Sequence, residues 1–343
     1  MDDLFLIMKS NAEYFMYNQA VSSLKVGIVG TGYAAKKRAE AIKSDRRTQL
    51  VAVTGNTPHR IQEFCQMFEI EAVDSWVKLV DRSDLDLIFV CTINRDCGAI
   101  ALAAIGAEKN VVVEYPLALE AKIGEEIIEL AAVKQKLIHV EHMEIIGGLH
   151  QAMKEYLPQI GKVFQANYKT ISAQASDRHS WKYNKDTLGF PLAAALSRIH
   201  RLTDLFGKVE AVDCNNRYRD KSGSNYFSSC MCQARFNFVN GVRAEIVYGK
   251  GDVFHQSHRT FEIYGEEGTM VFEGEKGKLI KNKRETEIPV VSRRGLFAKD
   301  TTMVLDYLFD GHPLYIQPQA SLYALKIANA AEKSAALNKT VCL

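Results

Sequence analysis

The sequence lacks the segments that would mark a membrane or secreted protein. No run reaches the roughly 18 consecutive apolar residues of a membrane-spanning helix. The short apolar patch from Leu4 to Met8 follows Asp2 and Asp3 rather than basic residues, so it is unlike a secretory signal. We therefore expect a cytoplasmic protein in which residues 1–23 form an N-terminal extension.

The sequence also has little excess charge and no grouped cysteines. Lys and Arg number 43 against 41 Asp and Glu, a net charge of +2, which provides no field to gather nucleic acid or an anionic membrane. None of the seven cysteines, Cys230 and Cys232 included, has the spacing of a redox or zinc motif. Histidines and carboxylates show no metal-ligand spacing either. We expect reduced thiols, no metal, no nucleic-acid partner and no membrane partner.

The length and hydrophobic content of the sequence are sufficient for two domains. Its 343 residues, 47% of them hydrophobic, suffice for two domains of about 100–200 residues each. From Leu24, β-branched runs alternate with amphipathic stretches, which predicts a doubly wound parallel sheet of the Rossmann type. Beyond residue 160, strands separated by turn pairs such as Asn240-Gly241 predict a mainly antiparallel sheet. The predicted fold is α/β plus α+β, with a nucleotide-binding domain at 24–143 and a substrate-binding domain at 144–343, whose last helix is free to pack back on the first domain.

A glycine-rich turn follows the first strand of this pattern. The spacing Gly-x-Gly-x-x-Ala begins at Gly30, where the glycines permit a tight turn and a close approach of the backbone to a pyrophosphate, and the following helix begins at the charge. Because a strand precedes the motif and a helix follows it, the sequence predicts dinucleotide binding. The predicted contacts are Gly30, Thr31, Gly32, Tyr33 and Ala34.

The end of the second strand indicates which dinucleotide is preferred. It lacks the Asp or Glu that would accept both ribose hydroxyls of NAD, and the first acid afterwards is Glu63 on a helix. The hydroxyl, amide and guanidinium of Thr57, Asn56 and Arg60 suit an added 2′-phosphate. NADPH is therefore the expected cofactor, with NADH as a weaker possibility if Arg60 is only a solvated helix residue.

The motif Glu114-Tyr115-Pro116, directly after the apolar run of residues 111–113, carries a family resemblance. The chain resembles the glucose-fructose oxidoreductase and inositol dehydrogenase family, in which the motif reads Glu-Lys-Pro and the lysine helps to move the hydroxyl proton of a sugar. A phenol with an ordinary pKa of about 10 replaces that lysine poorly at neutral pH. The exchange therefore points away from sugar alcohols.

Blocks in both halves of the chain are similar to biliverdin reductases of the cyanobacterial type, the branch of that family in which the motif reads Glu-Tyr-Pro. Besides the glycine turn, the blocks are residues 114–119, 139–142, 189–199, 248–256 and 293–297. The resemblance implies that NADPH transfers hydride to the central methine bridge of biliverdin, a linear tetrapyrrole, and gives bilirubin. It also implies that Thr92 and Asn94 lie beside the nicotinamide ribose. The family usually has a histidine three residues after that asparagine, where this chain has Cys97.

The predicted chemistry needs a proton as the hydride arrives, and three residues are candidates. Arg198 sits in an otherwise apolar helix, and an Arg side chain gives up its proton reluctantly, so we expect it to stabilise developing negative charge or to position the donor. Its alternative is a structural ion pair with Asp204 or Glu114. Tyr115 could hydrogen-bond the pigment or cap the nicotinamide pocket. Glu114 could orient the cofactor or Arg198.

Substrate carboxylates require cations beside an aromatic surface. Arg293 and Arg294 precede Gly295 and Phe297 in a loop, an arrangement that suits two propionates. His142 and His255 are weaker candidates for substrate binding.

Two other functions remain open on the sequence. One is an NADP-dependent sugar or cyclitol dehydrogenase, which the missing lysine argues against. The other is a protein that senses NADPH without turnover, since fold does not fix function. The oligomeric state is not predicted.

Overall fold

The computed structural model describes residues 23–174 and 180–343. The predicted extension, residues 1–23, therefore lies outside the described residues except for Ser23. Within the described ranges, no helix is long and apolar enough to cross a membrane.

The first half of the chain forms a parallel sheet of six strands, as predicted. The strand order is β3-β2-β1-β4-β5-β6, which is the doubly wound arrangement. The strands are β1 (Leu24–Val29), β2 (Thr48–Thr54), β3 (Glu71–Ala72), β4 (Leu87–Val90), β5 (Asn110–Glu114) and β6 (Ile138–Glu141). The helices are α1 (Tyr33–Ser44), α2 (Pro58–Phe68), α3 (Trp76–Val80), α4 (Asn94–Gly106) and α5 (Ala121–Lys134).

The second half is built on a nine-stranded sheet in the order β14-β13-β12-β11-β7-β10-β9-β8-β15. Every pair is antiparallel except β7 with β10, which is parallel. Strands β8 and β9 separate these two strands in the chain, and in the sheet both lie on the far side of β10. The strands are β7 (Val163–Ala173), β8 (Val209–Asp220), β9 (Phe227–Phe238), β10 (Arg243–Gly251), β11 (His258–Gly265), β12 (Thr269–Glu273), β13 (Lys276–Lys281), β14 (Arg284–Ile288) and β15 (Val341–Cys342). The predicted mixture of folds is confirmed.

Helices cover one face of this sheet and connect it to the parallel one. They are α6 (Gly148–Tyr156), α7 (Lys185–Leu188), α8 (Pro191–Ala194), α9 (Leu196–Phe206), α10 (Leu296–Asp310) and α11 (Pro318–Leu337). Helix α10 packs against α1, and α11 contacts α5 and β6 as well as β8 and α9. Both α10 and α11 thus pack against the first domain, although they follow the second sheet in the chain.

The apolar stretch that precedes Arg198 is divided into two helices rather than one. At Ala195 the backbone leaves helical geometry (φ −107°, ψ 30°), so α8 ends and α9 begins there. Ser197 and Arg198 consequently lie in the first turn of α9, at the end that faces the other domain.

One buried guanidinium connects the two halves. Arg38 on α1 is fully buried and donates to the Glu114 carboxylate at the end of β5 (2.8 Å) and to the Thr301 hydroxyl on α10 (2.9 Å). It also forms an ion pair with Asp300. Burial would raise the pKa of Asp300, but the charges of Arg38 and His139 outweigh burial and hold that pKa well below its usual range.

We expect Arg38→Met to lower the free energy of unfolding by about 3–5 kcal/mol, because the buried Asp300 and the half-buried Glu114 lose the guanidinium that pairs with them. Urea denaturation would measure the change. Lys37→Met, on the exposed side of the same helix, is the matched control and should leave the unfolding midpoint nearly unchanged. Equal midpoints for the two variants would show that the Arg38 network does not stabilise the junction.

Candidate functional site

The predicted glycine turn has the geometry that a dinucleotide requires. Gly30 has φ +124°, and a Cβ atom there would lie 2.1 Å from the carbonyl oxygen of Cys91, so only glycine fits. Gly32 precedes α1, and nothing lies within 4 Å of the position its Cβ would take. The first backbone N–H groups of α1 therefore face an open space that suits a phosphate.

Residues predicted to select the cofactor gather around the neighbouring turn. A Cβ on Gly55, after β2, would lie 3.3 Å from Thr31, so the turns after β1 and β2 are in contact. Asn56, Thr57 and Arg60 are exposed there. Glu63 lies further along α2 and pairs with His59 (3.3 Å). The side chains at this edge are thus polar or cationic, with the one nearby acid already partnered.

The turn after β4 contacts the second domain. Asn94 is buried, and its amide donates to the backbone carbonyl of Leu188 on α7 (2.8 Å), while Thr92 is half-buried beside it. Cys97, where relatives usually have histidine, is buried, and burial raises the pKa of its thiol to about 12. A neutral thiol at this position offers no acid or base at neutral pH.

A cavity lies where the carboxyl edge of the parallel sheet meets the nine-stranded sheet. Its inner part, about 370 Å³, is bordered by Asn94, Glu114, Tyr115, Glu141 and Phe297 on one side and by Trp181 and Arg293 on the other. Its outer part, about 480 Å³, is bordered by Arg198, Thr170, His258 and Arg259. Lys182, Tyr248 and Lys250 border both parts. The cavity is therefore elongated, aromatic in the middle and cationic along one wall.

Tyr115 and Arg198 meet at one hydroxyl group. The Tyr115 phenol donates to Ser197 Oγ (3.2 Å), and Arg198 Nη1 donates to the same oxygen (3.2 Å). Burial raises the pKa of Tyr115, although the charge of Arg198 partly offsets the effect. The phenol is consequently neutral and protonated at pH 7.

Arg198 does not form the structural ion pair that the sequence left open. Asp204 accepts from His150 (2.6 Å) and Lys154 (3.0 Å), and Glu114 accepts from Arg38. Instead, the Arg198 guanidinium lies over the Tyr248 ring, 5.3 Å from its centre, and its Nε has no hydrogen-bond partner. Burial opposes its charge, but neighbouring tyrosines and Glu144 raise its pKa, so it stays a cation.

A group of arginines beside the cavity shares a single acid. Glu144 forms ion pairs with Arg201 (2.9 Å), Arg259 (3.6 Å) and Arg293. Burial would raise the pKa of Glu144, but these three cations lower it. Three guanidiniums against one carboxylate leave an excess of positive charge at this side of the cavity, which we call the arginine wall.

Glu141 is a second acid that the sequence interpretation overlooked. It ends β6 directly opposite Glu114 on β5, and one of its carboxylate oxygens accepts the Met143 backbone N–H (2.5 Å). Burial and the Glu114 charge raise its pKa well above the usual range. Glu141 therefore holds a proton more readily than an ordinary carboxylate at the border of the inner part of the cavity.

The structure brings only some of the predicted substrate residues to the cavity. Arg293 borders it, whereas Arg294 and His255 are exposed and do not line it. His142 is fully buried behind Tyr115, with the two rings stacked (5.4 Å, 10°) and its Nε2 bonded to the Ser321 hydroxyl (2.8 Å). Burial lowers the pKa of His142 well below its usual value, so it is a neutral support for Tyr115. Throughout the described ranges, no group of three or more His, Cys, Asp or Glu side chains could hold a metal ion.

Comparison with known proteins places the chain in a family. Residues 24–142 match the model described as "Oxidoreductase family, NAD-binding Rossmann fold", and residues 154–343 match "Oxidoreductase family, C-terminal alpha/beta domain". The chain belongs to the GFO/IDH/MocA oxidoreductase family. The family resemblance inferred from the sequence is thereby confirmed.

Members of the family that resemble this chain include reductases and dehydrogenases. A biliverdin reductase from Synechocystis sp. PCC 6803, solved with biliverdin and NADP+, is 49% identical; the match covers 91% of this chain and 99% of that one, with a TM-score of 0.90. Mouse biliverdin reductase A is 25% identical over 57% of this chain, and the match spans 63% of the mouse protein, less than two thirds of its length. Levoglucosan dehydrogenase from Pseudarthrobacter phenanthrenivorans is 24% identical over 75% of each chain.

We expect Gly32→Ala to weaken NADPH binding about tenfold or more while leaving the Tm unchanged, because the added methyl meets no protein atom but obstructs the approach of a pyrophosphate. Isothermal titration with NADPH would measure the Kd. Gly106→Ala, at the open end of α4, is the matched control and should change neither quantity. An unaltered Kd for Gly32→Ala would mean that the pyrophosphate does not lie at this turn.

Proposed function

We propose that this protein is an NADPH-dependent biliverdin reductase, which transfers hydride to the central methine bridge of biliverdin and gives bilirubin. The observation that carries the proposal is the elongated cavity in which a neutral Tyr115, rather than a lysine, faces the nucleotide end. The near full-length similarity to the Synechocystis enzyme supports it.

The residues around the turns after β1 and β2 fit a phosphorylated dinucleotide. The backbone at Gly30 and Gly32 would hold the pyrophosphate, and Thr31, Tyr33 and Ala34 would border it. Asn56, Thr57 and Arg60 would contact the 2′-phosphate, since no free acid competes there. Thr92, Asn94 and Glu114 would border the nicotinamide end. Bound NADPH supplies the hydride; NADH would serve less well.

The rest of the cavity suits a flat, conjugated dianion. Trp181, Tyr115 and Tyr248 offer ring faces or edges to a tetrapyrrole. Arg293 and Arg259 are cations at the wall. Both pair with Glu144 in this structure, and each could bind a substrate carboxylate in its place. Arg294 and His255 stand outside the lining and would contact a propionate only at the mouth.

The proton chemistry centres on the hydroxyl group that Tyr115 and Arg198 share. As hydride reaches the methine carbon, negative charge develops on the pyrrole nitrogens. The Arg198 guanidinium would stabilise that charge. The Tyr115 hydroxyl, which donates to Ser197 Oγ in this structure, would turn its one proton to the pigment, and Ser197 would then donate to the phenol oxygen. The proton that completes the pyrrole N–H group would come from solvent. Arg198 keeps its own protons, because its pKa is raised. His142 would contribute only by supporting the Tyr115 ring, on which it stacks.

A sugar or cyclitol dehydrogenase remains the second candidate, since levoglucosan dehydrogenase is a relative. Such an enzyme would need a base near Tyr115 to accept a hydroxyl proton. The Tyr115 phenol, whose pKa is raised by burial, is protonated at neutral pH and is a poor base. An NADPH sensor without turnover is the third candidate.

We also propose that the protein is cytoplasmic, as the sequence predicts.

The decisive assay mixes the purified protein with NADPH and biliverdin and follows the visible spectrum. The proposal predicts that green pigment turns yellow with equimolar loss of NADPH, faster than with NADH. Oxidation of levoglucosan or inositol without a pigment change would favour a dehydrogenase. Tight NADPH binding with neither reaction would favour the sensor.

Arg198→Met should lower kcat for biliverdin by about 10²–10³, because the developing charge loses its stabilising cation. The Kd for NADPH should stay within about twofold, since Arg198 lies on the other side of the cavity. Stopped-flow absorbance and NADPH titration would measure the two quantities. Arg217→Met, an exposed arginine on β8, is the control. A loss of Tm and of NADPH affinity that matches the loss of kcat would make Arg198 merely structural.

A further inference from the structure

Lys250 is a buried lysine at the centre of the cavity. It lies on β10, is 7% exposed, and borders both the inner and the outer part. Its ammonium lies 4.3 Å from the centre of the Tyr183 ring and 5.8 Å from that of Phe227. One of its protons goes to the backbone carbonyl of Lys182 (2.5 Å). An ammonium has three donors, so two are left for other partners.

No acid in the described residues compensates the charge of Lys250. Glu144 is already shared by Arg293 and Arg259. Among the groups that shift the pKa of Lys250, the one acid is the thiol of Cys230 on β9. Burial raises the pKa of Cys230 to about 11, so this thiol is neutral at pH 7. An ammonium that is buried without a counter-ion is costly, and a ligand that brings an anion would remove the cost.

We propose that Lys250 binds a carboxylate of the substrate and so helps to select a dicarboxylic pigment over its uncharged analogues. This inference rests on the proposed function and names one contact within it. The position supports a carboxylate near the middle of the ligand, because Lys250 lies beside Tyr248, between the nucleotide end and the arginine wall. Like Arg198, Lys250 is a cation of the cavity that forms no ion pair with a carboxylate.

The contact should make pigment affinity depend on pH. Burial and, to a smaller degree, the charge of the nearby Lys182 lower the pKa of Lys250 to about 8. A bound carboxylate favours the charged amine, so affinity is greatest below pH 8 and falls as the free amine loses its proton above it. The titratable groups around Lys250 are Cys230 on β9, Tyr248 on its own strand, and Lys182 and Tyr183 in the turn before α7. Across the cavity they are Arg198, His258 and Arg259 in the outer part and Glu114, Tyr115, Glu141, Glu144 and Arg293 in the inner part. Lys250→Arg removes only the titration of residue 250, so it separates that titration from theirs.

The test measures the Kd of biliverdin, and of its dimethyl ester, by absorbance titration in the presence of NADP+. In the wild-type protein the Kd for biliverdin should rise above pH 8 by about tenfold in total and then level off, whereas the Kd for the ester should not rise. Lys250→Met should weaken biliverdin binding about tenfold at pH 7 and reduce the preference for acid over ester by the same factor. Lys250→Arg should keep the preference and lose the pH dependence above 8.

Lys169→Met is the matched control, because Lys169 lies exposed on the opposite face of the same sheet, on the neighbouring strand. It should bind both pigments as the wild-type protein does. If Lys250→Met also keeps the wild-type preference, the inference is wrong while turnover of biliverdin by the wild type still supports the reductase. The wild-type pH profile tests the same contact without relying on the folding of any variant. A wild-type protein that neither binds nor reduces biliverdin would overturn both proposals.

Discussion

The geometry of the site depends on the buried guanidinium of Arg38. It holds Glu114 at the end of β5 and Asp300 and Thr301 on α10, so two segments that are far apart in the chain are fixed to one helix of the nucleotide-binding sheet. Tyr115 follows Glu114 directly, and Phe297 lies on α10. The edge of the cavity nearest the proposed nucleotide site is therefore set by an ion-pair network centred on the fully buried Arg38.

The cations around the cavity fall into two groups. Arg201, Arg259 and Arg293 share Glu144 and form a wall whose charge is only partly compensated. Arg198 is half-buried and Lys250 is buried; neither forms an ion pair with a carboxylate, and each rests on the face of a tyrosine ring. Stability alone would favour replacing such unpaired charges with apolar residues. Their presence is best explained by an anionic ligand: Lys250 and the arginines beside Glu144 would hold the propionates of a tetrapyrrole, and Arg198 would face its pyrrole nitrogens.

The sequence predicted the fold well because its signals are local. Alternating strands and helices, the turn at Gly30, and pairs such as Asn240-Gly241 specify elements within a few residues. The site was predicted only where a motif carries it, as at Tyr115 and Arg198. Arg38 follows two lysines on a helix and reads as a surface residue, and its partners lie 76 residues away at Glu114 and more than 250 residues away at Asp300 and Thr301. Glu144 likewise has partners on three separate elements, which no spacing reveals.

Two residues show what the position of a residue along a strand can predict about its side chain and what it cannot. Lys250 has the same strand parity as the buried Ile246 and the half-buried Tyr248, so an inward-facing lysine could have been predicted from alternation alone. His142 follows a strand at the carboxyl edge of the sheet, where ligands usually bind, yet its ring is turned into the core and stacks on Tyr115. Position along a strand thus predicts the edge of a sheet but not the direction of a side chain beyond it.

The most direct test of the account follows the hydride itself. Turnover of biliverdin with NADPH that carries deuterium on one face of the donating nicotinamide carbon, analysed by NMR of the product, should place one deuterium on the central bridge of bilirubin. Only one of the two labelled faces should transfer it, because the pigment lies against a single side of the ring. Deuterium at another carbon, equal transfer from both faces, or unlabelled product would contradict the account.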